Sequence, residues 1–323
     1  MKLASIDNGS RDGCLAVVAQ DGGRYLSASD IAPCMQEALE NWTELAPMLV
    51  SLSEQLDQGG GVSLEGVNIL SPLPRAWQWL DGSAFKSHGD LMEKVFGIDP
   101  VPLDKPLMYQ GMSHRFLSAN QDVEFLREED DIDFEGELGI ITDDVPMGTS
   151  AAEAMGHIKL IVQINDWSLR RLAPAEMKTG FGWIQAKPAC SMAPFAVTPE
   201  ELGDAWQDGR VHLPLTIDWN GERFGNAKAG VMDVGFHELI AHAAATRDLC
   251  AGTVIGSGTV SNDNFREIGS SCIAERRGIE IVDEGAPRTG FMMFGDRVRM
   301  EVCDKDGNSV FGAIDQCVTR RQQ

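Results

Sequence analysis

Apolar residues between positions 34 and 57 recur at helical spacing. Met35, Leu39, Trp42, Leu45, Met48, Leu49, Leu52 and Leu56 predict a helix buried along one side. Gly59-Gly60-Gly61 closes it as a loop. Upstream, Cys14-Leu-Ala-Val-Val-Ala-Gln20, a turn at Asp21-Gly22-Gly23 and Arg24-Tyr-Leu-Ser27 read as a hairpin. Pro72 and Pro74 mark a stiff boundary. Residues 1–70 are therefore expected to form a small N-terminal domain, and 71–323 the main one.

Beyond that boundary the pattern shortens. Apolar runs at 137–142, 159–165, 213–219, 252–256, 279–282, 296–303 and 309–314 predict strands, with Asp306-Gly307 turning between the last two. Ser150-Ala-Ala-Glu153 and Thr198-Pro-Glu-Glu201 read as capping boxes that open helices, and 235–245 as an amphipathic helix around Leu239 and Ile240. Many short strands with few helices indicate an α+β, mainly β fold and not a doubly wound one. No repeat or low-complexity segment is visible.

Composition narrows the function. The chain has 323 residues, with 27 Lys and Arg against 49 Asp and Glu, a net charge of −22. Such a surface disfavours nucleic acid and anionic membranes as partners. An anionic substrate stays open, because a bound metal can invert the local field. No stretch approaches 18 apolar residues, so no membrane span is expected. The first residues lack the apolar core and cleavage site of a secretion signal. The seven cysteines are scattered, with no C-x-x-C pair, which speaks against a zinc cluster or a disulfide framework and for the cytoplasm.

The chemistry concentrates in Asp133-Phe-Glu135-Gly-Glu137-Leu-Gly-Ile-Ile141, which reads as a strand. Glu135 and Glu137, two residues apart, project from one face with bases roughly 6–7 Å apart. Like charges that close resist joint ionisation, and a hard divalent cation reverses the penalty. An arbitrary E-x-E is more often a solvated strand face. Asp166, in Asn165-Asp-Trp-Ser-Leu-Arg170, follows the apolar run Ile158–Ile164. Read alone it is more often a turn or cap residue than a ligand. Asp81 and His88, seven apart, are individually unremarkable.

Together these segments resemble the fumarylacetoacetate hydrolase family. The resemblance runs through most of 71–323. It is carried by the E-x-E strand, N-D-W-S-x-R, Lys187 in Gln185-Ala-Lys-Pro188, Gly256-Ser-Gly-Thr259-Val-Ser261 and Gly295-Asp-Arg-Val-Arg-Met-Glu301. Any one motif is weak; five in the family's order are specific. The resemblance implies a mixed β-sandwich or β-roll catalytic domain behind a small N-terminal one. It implies that Asp81, Glu135, Glu137 and Asp166 hold one divalent cation, Mg²⁺, Ca²⁺ or Mn²⁺, acting as a Lewis acid on a chelated keto-acid substrate. His88 would be the general base, oriented by Glu275. Lys187 would stabilise the oxyanion or the leaving enolate, or else balance the carboxylates. Tyr109 and Thr259 would contact substrate. A homodimer is expected on the same ground.

Departures limit the substrate. Family members that cleave fumarylacetoacetate carry an arginine soon after the histidine, where this chain has only Lys94. A glutamine expected near Ala173 is absent, with Gln185 as an alternative; His114 and Arg115 are candidates for a substrate carboxylate or an exposed loop. The expected activity is hydrolysis of a carbon–carbon bond in an acylpyruvate or related β-diketo acid. The rivals are oxaloacetate decarboxylation, 2-keto-4-pentenoate hydration and sugar-acid dehydration. A rival of another class is a non-catalytic protein that binds metal or a small acid.

Overall fold

The computed structural model describes residues 1–96 and 106–322. Its largest sheet runs in the order Val62–Ser63, Arg24–Ser27, Cys14–Val18, Lys2–Ile6, Ala196–Val197, Ile158–Asn165, Gly136–Thr142, Val254–Gly256, Trp79–Gly82, Met108–Gln110. Ser191–Met192 also pairs with Ile158–Asn165. Val254–Gly256 and Trp79–Gly82 run parallel. The expected hairpin forms, pairing Ala16 with Ser27 and Val18 with Tyr25. Lys2 and Leu3 pair with Val197 and Ala196, so the N-terminal strands extend the main sheet.

The periodic segment 34–57 folds as two helices, Met35–Glu40 and Trp42–Asp57. Asn41 breaks it, its side-chain amide donating to the Glu37 carbonyl at 3.0 Å. Met35, Leu39, Leu49 and Leu56 still share a buried cluster with Leu3, Leu15 and Val17, so the apolar face survives the break.

A second sheet runs Glu222–Lys228, Pro214–Trp219, Arg297–Val302, Ile314–Arg320, Val123–Phe125. Its apolar face meets the main sheet, and Leu138, Ile140, Leu215, Ile217, Val298 and Met300 lie in one buried cluster. Gly136 sits at the closest approach. A Cβ there would stand 2.6 Å from the Ile217 side chain and 2.9 Å from Leu215. The glycine between the two glutamates is thus demanded by sheet packing, and alternation sends both glutamates the other way. The fold is α+β with sheets dominating.

Three local expectations fail. Residues 279–282 are not a strand but part of the helix Ile273–Glu284. Their β-branched run is overridden by caps: Asp133 accepts from the first amides, Ile273 and Ala274, at 2.7 and 2.9 Å. Gly285 ends the helix in the left-handed conformation. The strand placed at 309–314 starts at Ile314 and runs to Arg320. Gly312 adopts φ 75° and interrupts the run, while Phe311 is a buried anchor whose carbonyl accepts from the Phe195 amide at 3.0 Å. At Thr198 a short helix does begin, Pro199–Leu202, without a capping box. The N-terminal ammonium of Met1 takes both partners, lying 3.0 Å from the Thr198 hydroxyl and 3.0 Å from Glu201. The box at Ser150 closes as expected.

Candidate active site

Strand register assembles the site. Glu137 lies opposite Ile164 and Gly136 opposite Asn165, which delivers Asp166 beside the two glutamates. The Asp166 amide donates to the Glu135 carbonyl at 3.0 Å, and the Glu135 amide to Asn165 Oδ1 at 3.0 Å. Asp81 is paired with Gly256 on one side and Tyr109 on the other. Glycine is required at 256, because a Cβ would fall 2.5 Å from Asp81 Oδ1 and 2.3 Å from the Trp79 ring. The Gly258 amide then donates to Asp81 Oδ1 at 3.1 Å.

Asp81, Glu137 and Asp166 each present an oxygen within 4.8 Å of the others, and all three are buried. Glu137 is fully buried, so the solvated-face reading of E-x-E does not hold. No hydrogen-bond donor reaches either of its oxygens among the described residues. Burial, then the neighbouring Asp81 and Asp166 charges, push its carboxyl well above the ordinary range. Burial and Asp166 do the same to Asp81. Three buried carboxylates, one wholly without donors, fit a hard divalent cation.

Glu135 stands outside that trio. Its Oε1 accepts from Lys187 Nζ at 2.7 Å and from the Ser168 hydroxyl and forms an ion pair with Arg170 Nη2 at 3.0 Å, while Oε2 accepts from the Thr259 hydroxyl. Burial opposes its charge, but Arg170 and Lys187 prevail and hold the carboxyl far below the usual range. Lys187 bridges to Asp166 Oδ2 at 2.6 Å. Although burial disfavours its ammonium, Asp166 and Glu135 keep it protonated. Asp166 also accepts from the Tyr109 hydroxyl at 2.6 Å and from the Cys190 thiol at 3.0 Å.

His88 and Glu275 come together from two helices, Lys86–Phe96 and Ile273–Glu284. His88 Nδ1 is 3.6 Å from Glu275 Oε1, close enough to pair but longer than a hydrogen bond. Glu275 is fully buried and His88 partly so. The structure therefore brings Asp81, Glu137 and Asp166 into one group, links Glu135, Lys187, Tyr109 and Thr259 to it, and pairs His88 with Glu275. Gln185, Lys94, His114 and Arg115 are exposed. Trp79 and Trp167 belong to the core, Trp77 is exposed, and Trp183 packs edge-on against Tyr109 with centroids 6.1 Å apart.

Several participants escaped the sequence reading. Asp133 is buried and binds Arg170 Nε at 2.8 Å as well as the helix that carries Glu275. It shares the i, i+2 phase of Glu135 and Glu137, so extending that pattern one step backwards would have found it. Arg170 and Ser168 lay within N-D-W-S-x-R without an assigned role. Nothing in the sequence singles out Cys190.

The model of the fumarylacetoacetate (FAA) hydrolase C-terminal domain matches residues 78–319, most of the chain. The chain belongs to the fumarylacetoacetate hydrolase family. The model of the fumarylacetoacetase N-terminal domain 2 matches residues 1–75. A 2,4-didehydro-3-deoxy-L-rhamnonate hydrolase from Sphingomonas sp. (strain SKA58) is 28% identical over 165 residues, 50% of this chain and 54% of that protein. The chain thus spans about half the length of this curated relative. Among solved structures, a maleylpyruvate hydrolase from Sphingobium sp. SYK-6 in complex with manganese(II) ion and pyruvate is similar at TM-score 0.68, 16% identity and 100% of both chains. A fumarylacetoacetate hydrolase from psychrophilic Exiguobacterium antarcticum reaches TM-score 0.67 at 17% identity, covering 99% of this chain and 100% of that one. These likenesses show the shared fold.

Proposed function

We propose that the protein is a divalent-metal-dependent hydrolase that cleaves a carbon–carbon bond in an acylpyruvate-like β-diketo acid. The observation that carries this reading is the buried trio Asp81, Glu137 and Asp166, one member of which has no donor. Asp81, Glu137 and Asp166, with Glu135 at their edge, are the residues that would hold the cation. Such an ion, when bound, supplies Lewis acidity toward the substrate's carbonyl oxygens.

The chain's own groups then divide the work. With Nδ1 facing Glu275, His88 leaves Nε2 to take a proton from water. The hydroxide oxygen bonds to the acyl carbonyl carbon, and collapse of the tetrahedral carbon breaks the bond to the neighbouring CH₂. The electron pair leaves as an enolate, which receives the proton held by His88. The products are a carboxylic acid and a 2-keto acid, and one water is consumed. Lys187 supplies a fixed positive charge beside Asp166 for the developing oxyanion. The relative from Sphingomonas is named for a substrate oxidised at carbons 2 and 4, itself a 1,3-dicarbonyl arrangement, which favours sugar-derived diketo acids within this class.

A turnover screen over acylpyruvates, 2,4-diketo sugar acids, oxaloacetate and 2-keto-4-pentenoates with Mg²⁺ or Mn²⁺ tests the reading. Water-dependent cleavage of a diketo acid is expected. Turnover of oxaloacetate or a keto-pentenoate alone would replace hydrolysis with decarboxylation or hydration. His88→Ala should suppress cleavage while retaining Mn²⁺ binding by calorimetry; loss of the metal in that variant would mean that His88 has been given the wrong task.

A further inference from the structure

The loop after strand Val254–Gly256 touches both halves of the site. The Gly258 amide reaches Asp81, the Thr259 hydroxyl reaches Glu135, and two residues on, the Ser261 hydroxyl donates to Glu275 Oε1. Asn262 fastens the end of the loop, exchanging hydrogen bonds of 2.8 and 2.9 Å with the backbone of Lys228. Thr259 and Ser261, two apart in this loop, thus hold one carboxylate from each half of the site.

Ser261 is not itself free to turn. The Ser87 hydroxyl donates to Ser261 Oγ at 2.9 Å, which leaves the single Ser261 proton for Glu275. Ser87 immediately precedes His88 on its helix. The chain of donors, Ser87 to Ser261 to Glu275 Oε1, thus runs from the residue beside His88 to Glu275. Glu275 Oε1 is the same oxygen that faces His88 Nδ1, whereas Oε2 has no partner among the described residues. Ser261 is therefore the one side-chain donor described for this buried carboxylate.

We propose that Ser261, steadied by Ser87, is a positioning residue that aims the Glu275 carboxylate at His88 and so fixes the proton-carrying nitrogen of the imidazole. The proposal rests on the reading of His88 and Glu275 as the base and its orienter. A neutral imidazole carries its proton on either nitrogen, and the hydrogen bond made by one decides the other. Without the Ser261 hydroxyl, the buried carboxylate loses its anchor and the ring loses its director.

The experiment follows the ¹⁵N resonances of the His88 ring in the full-length Mn²⁺-free protein, assigned with His88→Gln, at a pH that keeps the ring neutral. The wild type should show the proton on Nδ1. Ser261→Ala and Glu275→Gln should both shift the ring toward the Nε2–H form, with Ser87→Ala causing a smaller shift. A wild-type ring in Ser261→Ala beside a shifted ring in Glu275→Gln overturns the role of Ser261 and leaves the pair intact. An unchanged ring in Glu275→Gln overturns the pair and the proposal with it. On a diketo acid that the wild type cleaves, Ser261→Ala should lower kcat about tenfold with KM and Mn²⁺ affinity unchanged. It should add nothing in the Glu275→Gln background. An equal tenfold loss in both backgrounds would make Ser261 an independent structural element.

Discussion

Glu135 and Glu137 flank one glycine at the start of strand Gly136–Thr142 and live in opposite worlds. Glu135 is met by a guanidinium, an ammonium and two hydroxyls. Glu137 is met by two other carboxylates and no donor. One carboxylate is balanced by cations of the polypeptide; the other has only like charges beside it. The same residue type two positions apart thus closes an ion-pair clamp in one case and stands among like charges in the other, and the carboxyl affinities for protons diverge accordingly. Motif spacing alone does not separate the two, because it counts carboxylates and not their partners.

The sharpest way to break the comparison is to remove each side chain in turn. Glu135→Ala leaves Arg170 and Lys187 buried beside a missing partner. Removing one member of a buried pair typically costs about 3–5 kcal/mol, so the variant should unfold at markedly lower urea concentration. A near wild-type midpoint would show that the clamp is dispensable. Glu137→Gln should act in the other direction in metal-free protein. It replaces a buried carboxyl that resists ionisation beside Asp81 and Asp166 by an amide able to donate to them, and should raise the metal-free melting temperature. The same variant should lose Mn²⁺ binding by calorimetry, together with the Mn²⁺-dependent rise in melting temperature that a ligand specific for the folded state produces. Undiminished Mn²⁺ affinity in Glu137→Gln would remove that residue from the ligand set.

Much of this architecture could be read from the chain. The E-x-E strand, N-D-W-S-x-R and the glycine-bearing Gly256–Ser261 stretch each carry their reason locally: alternation, a polar residue ending a buried strand, backbone needing room. The failures have a common cause in contacts distant along the chain. Ile279-Glu-Ile-Val282 has strand-like side chains, but Asp133, some 140 positions earlier, caps the amides that make it a helix. Thr198 and Glu201 have the spacing of a capping box, and the Met1 ammonium claims both. Asn41 splits a periodic segment through its own side chain without disturbing which residues are buried. Spacing places Glu135 with the other carboxylates, whereas the closing of Arg170 and Lys187 on it is a property of the assembled sheet.

The finest test concerns Asp166, which belongs to both worlds: it is one of the trio and is also bound by Lys187. Tyr109 and Cys190 each give it one further hydrogen bond, at 2.6 and 3.0 Å, to different oxygens. A phenol is the stronger donor and a thiol a weak one. Outer partners of a ligating carboxylate commonly carry about 10–100-fold in metal affinity. Tyr109→Phe should therefore weaken Mn²⁺ binding about tenfold, and Cys190→Ala should weaken it by less. Burial, reinforced by Asp166, pushes the Cys190 thiol well above its ordinary range, so it remains a donor and not a competing thiolate. Cys190→Ser, which keeps a donor of similar size, should bind Mn²⁺ at least as well as Cys190→Ala. If neither Cys190 variant nor Tyr109→Phe weakens binding, then Asp166 is oriented by Lys187 alone, and the boundary between the two halves lies at the lysine.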